Sequence, residues 1–297
     1  MKAPVFYQLA HSVLQLRFPK FIIWKLYRPL INLRFRRFLK KRLGPYCRPV
    51  EPAPTPPREL VLKTCAATRE SFEMMFKRGY GFTDRYHSVG QGVILKWLGY
   101  LEGHGFNIRT MGAVLDFGCG TGRLLQHFRQ IEGLRIVGAD VNPNMTAWCA
   151  KNISGIEFHN NSLEPPLDFA EDNSFDLVYA LSVFTHIPIE LQRPWLAEMR
   201  RILRPGGFLL CTMFGLWYMK LFLNDKAVEQ MKRDGFLQYT SNDKEAHLAT
   251  QAEGPDWDIY QCRSEVIRVF GSELKLLDYI PGHQDLLILK KEGPSVM

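Results

Sequence analysis

The stretch VLDFGCGTGRLL, residues 114–125, places three glycines within five positions directly after an aliphatic run. Residues 114–117 predict a buried strand, and residues 123–128 predict the beginning of a helix. Glycine between a strand and a helix lets the backbone approach a ligand at the amide-rich end of the helix. The stretch therefore predicts a ligand-binding loop built on Gly118, Gly120 and Gly122.

Two aspartates flank this loop. Asp116 lies two residues before the first glycine, and Asp140 ends the next predicted strand. A carboxylate at that strand end can accept hydrogen bonds from both hydroxyls of a ribose. The glycine spacing is one residue short of the dinucleotide fingerprint, because position 123 is arginine. A nicotinamide-dependent dehydrogenase remains an alternative, which a test of NAD binding would decide.

The remaining sequence from 58 to 297 alternates strand and helix patterns. Strands are predicted at 113–117, 135–140, 156–160, 175–181 and 207–214, and two more follow a helix at 263–270. Further helices are predicted at 89–101, 122–130, 143–151 and 190–203. This alternation predicts an α/β fold with a parallel sheet that helices cover on both faces. Residues 216–262, rich in Trp and Tyr, are predicted to form a lid insertion, with a local satellite core as the alternative.

The excess positive charge is confined to the amino-terminal part of the chain. Residues 1–57 carry 12 Lys or Arg and one acidic residue, a net +11, whereas residues 58–297 carry −3. Because an acidic body repels phosphates, nucleic acid is not expected as a substrate or partner. The six cysteines show no disulfide or metal-ligand spacing, which predicts reduced thiols, no metal site and a cytoplasmic location.

Residues 6–44, here called the arm, mix large apolar and basic residues at helical spacing. Trp and Tyr favour the lipid headgroup level, and basic clusters attract anionic lipid. We expect the arm to bind an anionic membrane at the inner membrane face. A flap over the protein's own site and a contact with an acidic protein partner remain open. Five prolines between 49 and 57 predict a stiff linker outside the core, which sets the domain boundary after residue 57. No signal peptide or spanning apolar run is predicted.

Four motifs in register resemble a known family. LDFGCGTG, GADVNP, FDLVYALSVFTHIP and LRPGGFLL are similar to the class I S-adenosylmethionine-dependent methyltransferases over about residues 85–290. SVFTHIP together with GHQDLLIL most resembles bacterial members associated with surface polysaccharides and related small molecules. The resemblance implies a Rossmann-like, seven-stranded, mostly parallel sheet with S-adenosylmethionine as cofactor. A non-catalytic S-adenosylmethionine-binding protein remains an alternative.

The resemblance also implies a set of cofactor contacts. The Gly118–Gly122 loop would pass beneath the methionine part of the cofactor, Asp116 would orient its ammonium group, and Asp140 would bind the ribose hydroxyls. Val141 would lie beside the adenine. The turn after the third strand lacks the family's usual acidic residue, so polar and backbone contacts are expected there. The remaining positions are Ser162 and Leu163 in that turn, and Leu181 and Ser182 near the methionine tail.

Transfer to a hydroxyl benefits from a general base. His186, after the fourth strand, and His283, after the sixth, are the candidates; a helix-start histidine that shapes the pocket and an ordinary turn are the alternatives. We expect the acceptor to be a hydroxyl of a sugar, glycan or other small molecule, including lipid-linked ones. N- or C-methylation of a small metabolite or quinone-like lipid is the alternative. Substrate contacts are expected, against an alternative of core packing, at Tyr86, His87, Trp217, Trp257 and Gln284.

Overall fold

The part of the chain that the structure describes contains nine strands, seven in one sheet and two in a separate pair. The computed structural model describes residues 37, 41, 51, 53–57, 60, 82–240 and 257–293, apart from the side chains at 82–85, 88, 217 and 221. The strands are β1 (Ala113–Phe117), β2 (Arg135–Asp140), β3 (Glu157–Asn160), β4 (Phe175–Ala180), β5 (Leu203–Met213), β6 (Phe236–Thr240), β7 (Trp257–Gln261), β8 (Lys275–Ile280) and β9 (Asp285–Lys290). The helices are α1 (Phe82–Gly103), α2 (Pro143–Asn152), α3 (Ile189–Ile202), α4 (Leu216–Phe222), α5 (Asp225–Asp234) and α6 (Arg263–Phe270).

The strand order in the sheet is β3-β2-β1-β4-β5-β9-β8. Strands β1 to β5 are mutually parallel, and β9 is antiparallel to both β5 and β8. Strand β8 therefore runs in the same direction as β1 to β5. This arrangement confirms the predicted Rossmann-like, mostly parallel sheet of seven strands.

Two apolar cores cover the two faces of the sheet. Leu115 of β1 belongs to the core that includes Trp195 of α3 and Phe270 of α6. Its neighbour Val114 belongs to the opposite core, which includes Trp97 of α1. Successive side chains of a strand point to opposite faces, so a strand buried on both sides needs an unbroken apolar run. The continuous apolar stretches that predicted these strands have this cause.

The chain after β1 differs from the expectation. An α-helix was predicted at 122–130, but the structure has turns followed by a 3-10 helix at Leu125–Gln130. The Gln126 side-chain amide donates to the Arg123 carbonyl at 3.3 Å. Helix α1 also packs closely here, because a Cβ atom at Gly90 would collide with that carbonyl. The tight approach of α1 to this turn explains why the regular helix does not form.

The lid insertion has a small core of its own. Strands β6 and β7 form a separate antiparallel pair. Phe214, Tyr218, Met231, Leu237 and Tyr260 are among the buried residues that pack between this pair and helices α4 and α5. Residues 241–256, between the two strands, lie outside the described residues. Tyr218 and Tyr260 of the insertion thus serve first as packing residues.

The segment of residues 51 and 53–57, here called the strap, packs against the domain. The Ala53 amide donates to Gln126 Oε1 at 3.3 Å. Ala53 is only 4% exposed and packs beside Cys149 and Ile153 of the α2 region, and Pro56 is also buried. The expectation that this segment lies outside the core is wrong at Ala53 and Pro56, because their small side chains fit against the domain surface.

The arm lies outside the described residues except at positions 37 and 41. Among the residues that the structure describes, no helix combines the length and the apolar character needed to cross a bilayer.

A buried charge in the strap should destabilise the domain. Ala53→Asp would place a carboxylate among apolar atoms and is expected to lower the free energy of unfolding by roughly 2 kcal/mol. Pro54→Asp, at the exposed neighbouring position, should change it by less than about 0.5 kcal/mol. Urea denaturation of the full chain measures both values. Equal stability of the two variants would show that the strap does not pack on the domain in solution.

Candidate functional site

The predicted cofactor residues gather at one edge of the sheet. The parallel strands β1, β2, β4 and β5 end there, at residues 117, 140, 180 and 213. The hairpin between β8 and β9 opens on the same edge, because β8 runs parallel to these strands. In open α/β sheets, ligands bind outside the carboxyl ends of the parallel strands. The edge therefore carries the candidate site.

The three loop glycines have different roles. A Cβ atom at Gly118 would collide with Val183, and one at Gly122 would come within 2.8 Å of Ile153 Cδ1. These two glycines, both with positive φ, allow the chain to pack closely on itself. Gly120 also has a positive φ of 51°, but its nearest neighbour would be Met145 Sδ at 3.9 Å. Gly120 therefore leaves open space beside the backbone, as a bound ligand requires.

Asp140 connects the glycine loop to the turn after β2. Its Oδ2 accepts a hydrogen bond from the Gly120 amide at 2.7 Å, and its Oδ1 accepts one from the Asn142 amide at 2.9 Å. Burial raises the pKa of Asp140, and the two amides oppose this rise. Each carboxylate oxygen has a second lone pair, so both remain able to accept a ribose hydroxyl. The geometry fits the role that the family resemblance implies.

Asp116 is buried within β1 and is not exposed at the edge of the sheet. Its side chain is 3% exposed. Burial raises its pKa to about 8, the Asp140 charge adds to the rise, and contacts with Tyr179 and Arg123 oppose it. A carboxyl with this pKa holds a proton at neutral pH. An ammonium group close by would favour the ionised carboxylate.

The side of the site expected to face the adenine is built mainly from backbone and amide groups. The Asn160 side-chain amide donates to the Asp140 carbonyl at 2.8 Å. The Leu163 carbonyl accepts a hydrogen bond from the Trp195 indole at 2.9 Å, while its side chain is 43% exposed. Ser162 is exposed and Val141 is half-buried. No acidic side chain occupies the 160–163 turn, so the adenine contacts expected at these positions remain predictions.

Tyr86 contacts the glycine loop from the protein interior. Its hydroxyl donates to the Thr121 carbonyl at 2.8 Å and lies 2.9 Å from Thr121 Oγ1. With 1% exposure, Tyr86 occupies the interior and not the substrate side, which corrects the expectation of a substrate contact. His87 Nε2 lies 3.1 Å from Thr55 Oγ1 of the strap. These two residues connect α1 with the loop and the strap.

His186 is held by the lid. Its Nδ1 lies 2.8 Å from the Trp257 carbonyl oxygen and 3.5 Å from Asp258 Oδ1. The Ile259 amide donates to the Thr185 carbonyl at 2.9 Å, which attaches β7 to the loop after β4. Since a carbonyl only accepts hydrogen bonds, Nδ1 carries the proton of the neutral ring. Trp257 thus contributes its backbone oxygen to the site.

An aromatic wall lies between the two candidate histidines. The ring centroid of Phe214, the residue after β5, lies 5.9 Å from that of His186 and 4.6 Å from that of Tyr218. Tyr218 in turn meets the His283 ring edge-on at 4.8 Å. Burial lowers the pKa of His283. The side chain of Trp217, on the same helix as Tyr218, lies outside the described residues.

Gln284 occupies the same edge as the cofactor residues. It contacts Ser182, which follows Leu181 after β4, and Thr212, near the end of β5. Thr212, Phe214 and Asp258 are residues of the site that the sequence did not single out. Thr212 interrupts an otherwise apolar strand, LLCTMF, and this was the one available signal.

Comparison with known proteins agrees with this geometry. Residues 114–207 match a family model described as a methyltransferase domain. A sterol 24-C-methyltransferase of Gibberella zeae is 29% identical over 140 residues, which cover 43% of this chain and 34% of that protein. A demethylmenaquinone methyltransferase of Chlorobaculum parvum is 36% identical over 94 residues, or 32% of this chain and 37% of that protein. A human thiol S-methyltransferase, TMT1B, is 31% identical over 115 residues, or 35% and 46%.

Residues 114–207, about a third of the chain, match the methyltransferase-domain family. The strand order and the glycine loop after β1 agree with the class I, S-adenosylmethionine-dependent type of that domain. The chain spans between a third and a half of the length of these three curated relatives. Their names specify a sterol, a quinone precursor and a thiol, so the surface-polysaccharide resemblance stays a prediction.

Replacing Asp140 should weaken cofactor binding. Asp140→Ala removes both proposed ribose contacts and leaves the Gly120 amide without its acceptor, so S-adenosylhomocysteine should bind at least about 1.5 kcal/mol more weakly. Asp168→Ala, at an exposed carboxylate, is the matched control and should bind as the wild type does. Isothermal calorimetry measures both affinities. Unchanged binding by Asp140→Ala would contradict the assignment.

Cofactor binding should release a proton near neutral pH. Because the pKa of Asp116 is about 8 in the ligand-free protein, an ammonium group that binds its ionised form must displace the proton. S-adenosylhomocysteine affinity should therefore rise by up to about tenfold per pH unit between pH 6 and pH 8. Calorimetry in buffers of different ionisation enthalpy measures the released proton. Asp116→Asn should show no such release; a release equal to that of the wild type would assign it to another group.

Proposed function

We propose that the protein is an enzyme that transfers a methyl group from S-adenosylmethionine to a small-molecule acceptor. The observation that carries this proposal is the Asp140 carboxylate, held by the Gly120 amide beside open space at the sheet edge. The cofactor, when bound, supplies an electrophilic methyl group on a sulfonium. The chain's own share is to orient the two reactants, exclude water and accept a proton where the acceptor needs it.

We further propose that the acceptor atom is a hydroxyl oxygen of a sugar, glycan or other small molecule, and that His186 takes its proton. The Trp257 carbonyl holds Nδ1–H, so Nε2 is the basic nitrogen of the ring. The Asp258 carboxylate at 3.5 Å stabilises the imidazolium that forms. His283, across the aromatic wall, is the second candidate base, and its lowered pKa keeps it neutral at physiological pH.

A second candidate acceptor is an apolar lipid-like molecule. The relatives named for a sterol and for demethylmenaquinone favour it. A carbon nucleophile stabilised by its own substrate needs less help from a base than a hydroxyl does. The two candidates therefore differ in their dependence on His186.

The decisive experiment measures S-adenosylhomocysteine release across a panel of sugars, lipid-linked glycans, phenols, quinones and sterols. With a hydroxyl acceptor, His186→Ala should lower kcat by roughly 10²-fold while cofactor affinity stays within about twofold. His104→Ala, which removes a partly exposed histidine paired with Asp278, is the matched control. Turnover that survives in His186→Ala favours the carbon acceptor, and parallel loss of binding and turnover assigns His186 to the shape of the pocket.

We also propose that the arm binds an anionic membrane surface, which would bring the enzyme to lipid-linked acceptors. The support is the net charge of +11 in residues 1–57 beside Trp24 and Tyr27. Neutralising Arg34, Arg36, Arg37 and Lys40 to Gln retains the strap and should abolish sedimentation with phosphatidylserine liposomes. The full chain should sediment in low salt and partly release in high salt. If the full chain does not sediment with such liposomes in low salt, the proposal is contradicted.

A further inference from the structure

Three polar side chains from distant parts of the sequence meet at the sheet edge. Ser182 follows β4, Thr212 lies near the end of β5, and Gln284 closes the hairpin before β9. Thr212 is buried, while Ser182 and Gln284 are half-buried. Thr212 lies two residues before Phe214, and Gln284 directly follows His283, so the group adjoins the aromatic wall. These three residues are called the polar triad below.

The triad forms a closed ring of hydrogen bonds. The Ser182 amide donates to Thr212 Oγ1 at 2.8 Å. The Thr212 hydroxyl donates to Gln284 Oε1 at 2.6 Å, and Gln284 Nε2 donates to Ser182 Oγ at 2.5 Å. Each member thereby fixes the positions of the other two.

Two donor hydrogens of the triad take no part in this ring. The Ser182 amide, the two hydroxyls and the Gln284 amide group together carry five N–H or O–H hydrogens. Three contacts use three of them, and the count is the same if the Gln284 amide is turned the other way. Among the described residues, the three side chains make no other hydrogen bond. Because Ser182 and Gln284 are only half-buried, the remaining donors are accessible to an oxygen atom from outside the protein, whether of water or of a bound molecule.

The backbone at Ser182 supports a functional role. Its φ is +59°, a left-handed conformation that residues other than glycine adopt uncommonly and that concentrates at functional sites. The next residue, Val183, packs directly against Gly118 of the cofactor loop. The strained residue therefore stands between the cofactor loop and the two other members of the triad.

The triad's surroundings determine which oxygen it selects. The carboxylate that follows Gln284 in the sequence, Asp285, accepts hydrogen bonds from the Tyr279 hydroxyl at 2.9 Å and the Gly282 amide at 3.0 Å. The triad itself carries no charge. Two neutral donors match the two lone pairs of a hydroxyl or carbonyl oxygen, whereas a phosphate or carboxylate would favour a cationic partner.

We propose that the polar triad binds a neutral oxygen of the acceptor next to the atom that is methylated. The inference rests on the proposed function and narrows its substrate class to molecules with an oxygen beside the accepting atom, such as vicinal diols, catechols and hydroxyquinones. Ser182, Thr212 and Gln284 are then specificity-determining residues.

The test uses the full chain loaded with S-adenosylhomocysteine and measures probe binding by ligand-detected NMR. The probes are catechol, cis-1,2-cyclohexanediol and methyl glucoside, each paired with an analogue that lacks one of the adjacent oxygens. At least one probe should bind about tenfold more tightly than its analogue. Gln284→Met and Thr212→Val should remove most of that difference, while Thr110→Val, at an exposed position just before the amino end of β1, should keep it.

The affinity for S-adenosylhomocysteine separates the outcomes. Wild-type protein that binds no S-adenosylhomocysteine overturns the proposed function itself. Normal S-adenosylhomocysteine binding in the variants shows that they are folded, and equal binding of probe and analogue by the wild type then overturns the triad proposal. A Gln284→Met variant that loses cofactor affinity but keeps the probe difference assigns the two donors to the cofactor and also overturns it.

Discussion

The site depends on one carboxylate at the end of one strand. Asp140 holds the Gly120 amide with one oxygen and the Asn142 amide with the other. Asn142 caps helix α2 through its side chain, so the same carboxylate aligns the start of that helix with the glycine loop. Gly118 adds a second connection by donating to the Ala139 carbonyl at 2.8 Å. The loop, the helix and the strand end are therefore fixed relative to one another through Asp140 and its neighbour.

The local fold and the proposed ligand binding therefore depend on the same carboxylate, that of Asp140. Burial raises the pKa of Asp140, while the two amides stabilise its charge. A short distance away, Asp116 is buried with fewer compensating donors, and its pKa rises to about 8. The two carboxyls of the site therefore have different hydrogen-bond environments, with two backbone amides on Asp140 and one side-chain contact, from Tyr179, on Asp116.

The sequence predicted those parts of the fold that local composition determines. The run around Val114 and Leu115 had to be a strand buried on both faces, and Asp116 and Asp140 had to lie where such strands end. It failed where a contact between distant residues decides the outcome. Prolines in the strap indicate a stiff segment, but its burial depends on Cys149 and Ile153, about a hundred residues away. The 3-10 turn after β1 likewise depends on the close approach of α1.

The site was predictable to the same extent. Ser182 and Gln284 could be placed at the edge from strand order, but their connection through Thr212 is invisible in a mostly apolar strand. The sequence points to the aromatic ring of Trp257 as a substrate contact, yet Trp257 contacts His186 through its backbone oxygen, a group that every residue has. Side-chain identity carries no information about such a contact, and only the pairing of β7 with the loop after β4 shows it.

That backbone contact has a consequence for any attempt to treat the insertion as a modular part. Grafting a different insertion onto this sheet, in order to change which acceptors are admitted, would also remove the oxygen that sets the tautomer of His186. Under the role proposed for His186, the choice of acceptor and the proton transfer therefore depend on the same insertion. An evolutionary or engineered exchange must reproduce one strand's position at the loop after β4, although it need not reproduce that strand's sequence.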